Sequence, residues 1–260
     1  MNSSRHVKRL TQVGVAMAFG LLAAQVTTVA SAQGTAAPRQ EAPSETLSVR
    51  QQAIVPIAAF GAAGDMAGLA TSLNQGLDAG LTVNDIKEVL LQLYAYAGFP
   101  RSLNALNELM KVLEARKQRG VQDQPGKTPS RPIPQGDALL AAGTANQTRI
   151  LGAPSKSAVY EFVPAVDQYL KQHLFGAIFE RDNLDWQSRE LATVGMLSAL
   201  PGAEAQLQAH LGFSMNVGIT TAQLKQLTQV LADKVDSGSA SRARDALARQ
   251  LASRSQALPR

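Results

Sequence analysis

Shifted by 138 residues, the sequence falls on itself: Gly64 meets Gly202, Ala67 meets Ala205, Leu69 meets Leu207 and Leu73 meets Leu211. The register continues through Gly80 with Gly218, Thr82 with Thr220, Lys87 with Lys225 and Leu93 with Leu231. A helix, a short break, a second helix, a glycine turn and a third helix thus occur twice. Ala and Leu coincide easily by chance, but a shared Gly-x-Thr joint between two apolar-periodic segments does not. A three-helix unit of this size buries its own core poorly, so the two copies are expected to pack on each other, and chains to associate further.

Inside each copy the apolar residues step by three and four. Val83, Ile86, Val89, Leu90, Leu93 and Ala97 do so, as do Leu103, Leu106, Leu109, Met110 and Leu113, and no sustained alternation of the strand type occurs. Gly80 and Gly218 stand where helices should stop, and the Gly98-Phe99-Pro100 and Pro201-Gly202 runs break two more. Thr82 and Thr220 read as N-caps, with Asp85 and Gln223 at capping-box spacing. The expected fold is all-α, built from duplicated helical modules.

Breakers divide the chain. Residues 1–32 carry Arg5, Lys8 and Arg9, then an apolar stretch, then Ala30-Ser31-Ala32, the layout of a signal peptide cleaved after Ala32. The apolar part is short and diluted by Gly, Ala and Thr, so no stable membrane span is expected after cleavage, and a periplasmic or secreted location follows. Residues 33–45 are expected to be a disordered leader and 46–120 the first helical module. Residues 121–157, with Pro125, Pro129, Pro132, Pro134 and Pro154, read as a linker holding one brief Ala/Leu turn at 138–142. Residues 158–250 form the second module. Residues 251–260 read as a tail, the fraying end of an Arg-rich solvated helix.

Composition excludes several functions. The signal peptide holds three of the 25 basic residues and none of the 20 acidic ones, so its removal lowers the formal charge from +5 to +2. That is no footprint for nucleic acid. The chain has no cysteine, which excludes a disulfide framework and any thiol nucleophile. Beyond the leader only His173 and His210 remain, so no metal site is expected and no cofactor motif is present.

One pairing suggests chemistry. Glu190 lies 11 residues before Pro201 and His210 lies 8 after Gly202, on helices that a Pro-Gly break sets antiparallel, so the two can face each other. A carboxylate beside an imidazole in a partly apolar cleft is a common proton donor or acceptor. From spacing alone the plainer reading is two ordinary half-exposed residues, one serving the helix dipole. In the first copy the matching positions are Gln52 and Ser72, so only the second copy carries titratable groups there.

Residues 175–185 (FGAIFERDNLD), 188–192 (SRELA), 207–210 (LQAH) and 216–220 (NVGIT) resemble the carboxymuconolactone decarboxylase family, as do 78–88 (DAGLTVNDIKE) and 94–107 (YAYAGFPRSLNALN). That family shares its all-helical fold with the alkylhydroperoxidase D-like proteins. The resemblance implies homo-oligomers, commonly trimers or hexamers, and one of two activities. Thiol-dependent hydroperoxidases need a Cys-x-x-Cys, where this chain has Gly202 and Ala205, so the antioxidant reading fails chemically.

Cofactor-free decarboxylation of a small carboxylated lactone needs an acid for the ring carbon. Glu190 and His210 match the family positions for that role. Arg189 and Arg101 are candidates to bind substrate carboxylates, and Trp186 and Tyr96 to wall the cleft. A structural ion pair for the arginines and core packing for the aromatics are the plainer readings. The rival from another class is a non-catalytic binding or structural member of the same fold.

Overall fold

A computed structural model describes residues 44–257; the expected signal peptide 1–32, most of the expected leader 33–45 and the last three residues lie outside it. Four helices make up the first copy: α1 (Val49–Ala63), α2 (Met66–Asp78), α3 (Val83–Gln92) and α4 (Tyr94–Gln118). Three more follow, α5 (Gly136–Leu151), α6 (Ala158–Phe162) and α7 (Pro164–Tyr169), and then a π-helical segment, Leu170–Ile178. The second copy is α8 (Trp186–Ser198), α9 (Glu204–Asn216), α10 (Thr221–Lys234) and α11 (Ser237–Ala257). No strand occurs among the described residues, and no helix there is long and apolar enough to cross a membrane.

The repeat holds down to its joints. Thr82 and Thr220 each accept a hydrogen bond from the third helical N–H, and Asp85 and Gln223 each reach back to the cap, closing two capping boxes. At the preceding turn Gly80 and Gly218 take φ of 87° and 96°, a left-handed conformation that only glycine adopts without penalty. The next N–H, of Leu81 or Ile219, bonds back to the Gly76 or Ser214 carbonyl and buries its own side chain. Leu69, Leu73 and Leu93 are fully buried, and so are their partners Leu207, Leu211 and Leu231. The duplication extends one helix beyond the three read from sequence, since α4 after its kink at Gly98 corresponds to α11.

The copies meet through their first helices. α8 is buried on every side from Ser188 to Ser198, polar residues included, and α1 from Ala53 to Ala59, as helices enclosed by their neighbours are. They approach so closely that a Cβ on Gly195 would lie 2.8 Å from the Val55 carbonyl oxygen. α10 also packs on α1, and α3 on α8, as a two-fold relation between copies requires.

Two stretches differ from the sequence reading. Residues 121–157 are no plain linker, because Gly136–Leu151 forms α5, which buries Gly143, Gln147 and Ile150 against the π-helical segment. Upstream, the Gln124 and Pro125 carbonyls accept from the Val83 and Asn84 N–H groups, so the Pro-rich stretch satisfies the start of α3. The tail does not fray at 251, since α11 runs on to Ala257. Its Arg242 donates to the Ser198 carbonyl and its Arg254 to the Gly212 carbonyl. Along α4 the apolar period faces two ways: Leu109 is buried, but Leu103 and Met110 are 56% and 68% exposed.

Candidate functional site

Residue 190 is set by α8 and residue 210 by α9. Asp185 caps α8 by accepting from the Ser188 N–H, which fixes the first turn and directs Glu190 toward α9. There His210 Nδ1 lies 2.9 Å from Glu190 Oε2, with Glu190 fully buried and His210 7% exposed. A carboxylate oxygen accepts, so Nδ1 carries the proton and donates it, which leaves Nε2 as the nitrogen open to another molecule. Glu190 Oε1 is buried and has no hydrogen-bond partner among the described residues.

The imidazole is walled by aromatics from both copies. Phe213, one turn along α9, meets it edge to face at 5.0 Å between centroids, and Tyr96 from the start of α4 does so at 5.5 Å. The Tyr96 hydroxyl is buried without a partner. The neighbouring Thr193 hydroxyl accepts from Gln92 and donates to the Arg189 carbonyl, so it has no proton to give the phenol oxygen. Burial, reinforced by the charge of Glu190, pushes the phenol well above its ordinary range, so Tyr96 keeps its proton. Behind these rings a second apolar cluster gathers Ile150, Leu174, Phe175, Ile178 and Phe179, with Tyr96, Trp186 and Phe213 packed against it.

The remaining candidates are held elsewhere. Arg189 is fully buried and donates to Glu88 at 3.0 Å, to the Arg181 carbonyl and to Gln92, so its guanidinium is committed to the fold. Arg101 donates to the Ala62 carbonyl near the end of α1. Trp186 packs edge-on against Phe179 at 5.3 Å, with the Arg149 guanidinium 4.4 Å above its ring. The structure therefore brings Glu190, His210 and Tyr96 together, while the two arginines bond to other groups of the fold, Arg189 close enough for its charge to act on Tyr96.

Sequence reasoning missed two residues. Phe213 could have been found from its place three residues after His210. Glu88 gives no such signal, because its role depends on two arginines from distant segments. Burial by itself would raise the Glu88 carboxyl, but hydrogen bonds from Arg181 and Asn183 and the charge of Arg189 outweigh it and hold the group below the usual range. Among the described residues no three His, Asp or Glu side chains gather as a metal site requires. The described site thus offers one hydrogen-bonded acid–base pair, one neutral hydroxyl donor and an aromatic wall.

Comparison with curated proteins gave no match. A family model described as "Carboxymuconolactone decarboxylase family" matches residues 37–110 and 144–249, stretches that between them take in most of both helical repeats. On that match, over well more than half its length, the chain belongs to the carboxymuconolactone decarboxylase family.

Proposed function

We propose that this family member is a cofactor-free carboxy-lyase, or a lactone-processing enzyme using the same proton chemistry, that acts on a small carboxylated unsaturated lactone. The reading is carried by the 2.9 Å hydrogen bond between His210 and Glu190 within an aromatic enclosure. Loss of carbon dioxide sends the bond's electron pair into the ring as a dienolate, and a proton must then reach a ring carbon. His210 supplies it from Nε2, while Glu190 orients the ring and balances the imidazolium charge. Solvent replaces the proton, since decarboxylation of a carboxylate consumes one. The thiol route is closed to a chain with no cysteine.

The test is carbon dioxide release from a panel of carboxylated lactones by the purified protein, with His210→Ala and Glu190→Gln beside it. Positioned acid–base groups contribute about 10²–10⁴-fold, so His210→Ala should lower kcat/KM by that order while circular dichroism stays native. No release from any panel member, or a His210→Ala variant as active as wild type, would sink the reading. The second reading, a non-catalytic binding or structural member, is favoured by the enclosure of the pair, which is what a purely structural hydrogen bond would show.

We also propose export with cleavage after Ala32, checked by N-terminal sequencing of the secreted or periplasmic protein. Association with further copies of the chain is supported by α4, where Phe99, Leu103 and Met110 stand exposed at helical spacing. The equivalent places on α11 hold Ser237, Ser241 and Ala248.

A further inference from the structure

We infer that Tyr96 is the hydrogen-bond donor that grips the carbonyl oxygen of a ligand held beside His210, so that one helical repeat supplies the donor and the other the acid–base pair. The inference rests on the proposed lactone chemistry and adds to it a residue that family position does not mark for this task.

Four observations carry it. The Tyr96 hydroxyl is buried and unpartnered, a state that folds retain only where something offsets its cost. Its neighbour Thr193 donates its proton to the Arg189 carbonyl and accepts from Gln92, so it has no proton to give the phenol oxygen. Glu190 Oε1 is also buried without a partner and belongs to the carboxylate that holds His210, so two of the unpartnered buried atoms, with Arg189 Nε nearby as a third, belong to residues around one imidazole. Finally, the repeat places Lys234 where the first copy has Tyr96, so a tyrosine is no packing requirement of the shared fold.

The chemistry matches this placement. When the ring carbon loses carbon dioxide, the freed pair comes to rest on the lactone carbonyl oxygen. A phenol that keeps its proton donates a hydrogen bond to that oxyanion without being ionised. The His210 imidazolium then gives its Nε2 proton to the ring carbon, the carbonyl reforms and Tyr96 is unchanged. The ligand class is therefore a lactone or other cyclic carbonyl conjugated to the carbon that is protonated.

The experiment compares wild type with Tyr96→Phe, using 5-oxo-2,5-dihydrofuran-2-carboxylate carrying a ¹³C carbonyl as the probe. Difference infrared spectra should place the bound carbonyl at lower frequency in wild type than in the variant, and the variant should bind the probe about tenfold more weakly. Because the variant loses an unsatisfied group, it should also melt at or above the wild-type temperature. Equal carbonyl frequencies, or a variant that melts clearly below wild type, would overturn the donor role while leaving His210 and Glu190 as proposed. A shifted carbonyl with no carbon dioxide release across the lactone panel would sustain Tyr96 as a donor and remove the decarboxylase reading. A wild-type protein that does not bind the probe removes both.

Discussion

Arg189 and Glu190 are neighbours in the chain with separate fates. One turns to α3 and enters a buried charge cluster, and the other turns to α9 and holds an imidazole. Glu88 lies between two guanidiniums, from Arg181 at 2.7 Å and Arg189 at 3.0 Å. Removing one partner of a buried pair leaves the other charge uncompensated, so Glu88→Ala should cost about 3–5 kcal/mol in denaturant unfolding. The Glu88 carboxyl is held below its usual range in the folded state, so its contribution is complete above the unfolded value. It fades as pH falls through the lowered one. Thermal unfolding between pH 7 and 2 should show wild type losing stability at the acid end, and Glu88→Gln should flatten that limb. An acid limb of the same steepness in both proteins would mean that Glu88 does not couple folding to pH.

Among the elements, α5 shows how a helix escapes a reading based on apolar period. Its buried face uses Gly143, Gln147 and Ile150, and two of those three are not apolar in the usual sense. Glycine serves there because the π-helical segment comes so close that a Cβ on Gly143 would collide with the Lys171 carbonyl oxygen. On an exposed helix Gly→Ala gains about 1 kcal/mol. At Gly143 the backbone must move instead, and the net loss should exceed the 1–3 kcal/mol common for overpacking. Hydrogen exchange should then accelerate across α5 and the π-helical segment while α1 and α8 remain protected. A Gly143→Ala variant as stable as wild type would show that the close approach is not maintained.

At the scale of the molecule, large apolar side chains stand exposed along α6 and α7, where Phe162 is 86% exposed, and the paired copies themselves leave an apolar stripe on α4. If that stripe is where copies of the chain meet, Leu103→Glu with Met110→Glu should lower the mass measured by light scattering to that of one chain, without loss of helical signal. A wild-type protein that is already a single chain would remove the proposal. Much of the architecture was legible beforehand because caps, glycine turns and apolar spacing are local signals, and the 138-residue repeat states them twice. The pairing of Glu190 with His210 was legible as a possibility, because a Pro-Gly break sets two helices antiparallel and counting residues from it places side chains opposite one another. Tyr96 was a candidate wall of that cleft by family resemblance, but its unpartnered hydroxyl, Glu88 holding Arg189, and the closeness of α5 were not legible. Each depends on segments far apart in sequence meeting at a distance that only the packed core fixes. The sequence by itself determined two all-helical repeats and the caps and glycine turns at their shared joints, since backbone capping and hydrophobic burial act over one or two turns. The tertiary structure alone decided which buried polar groups find partners and which are left without one, because hydrogen bonds between distant segments form only after the helices have docked.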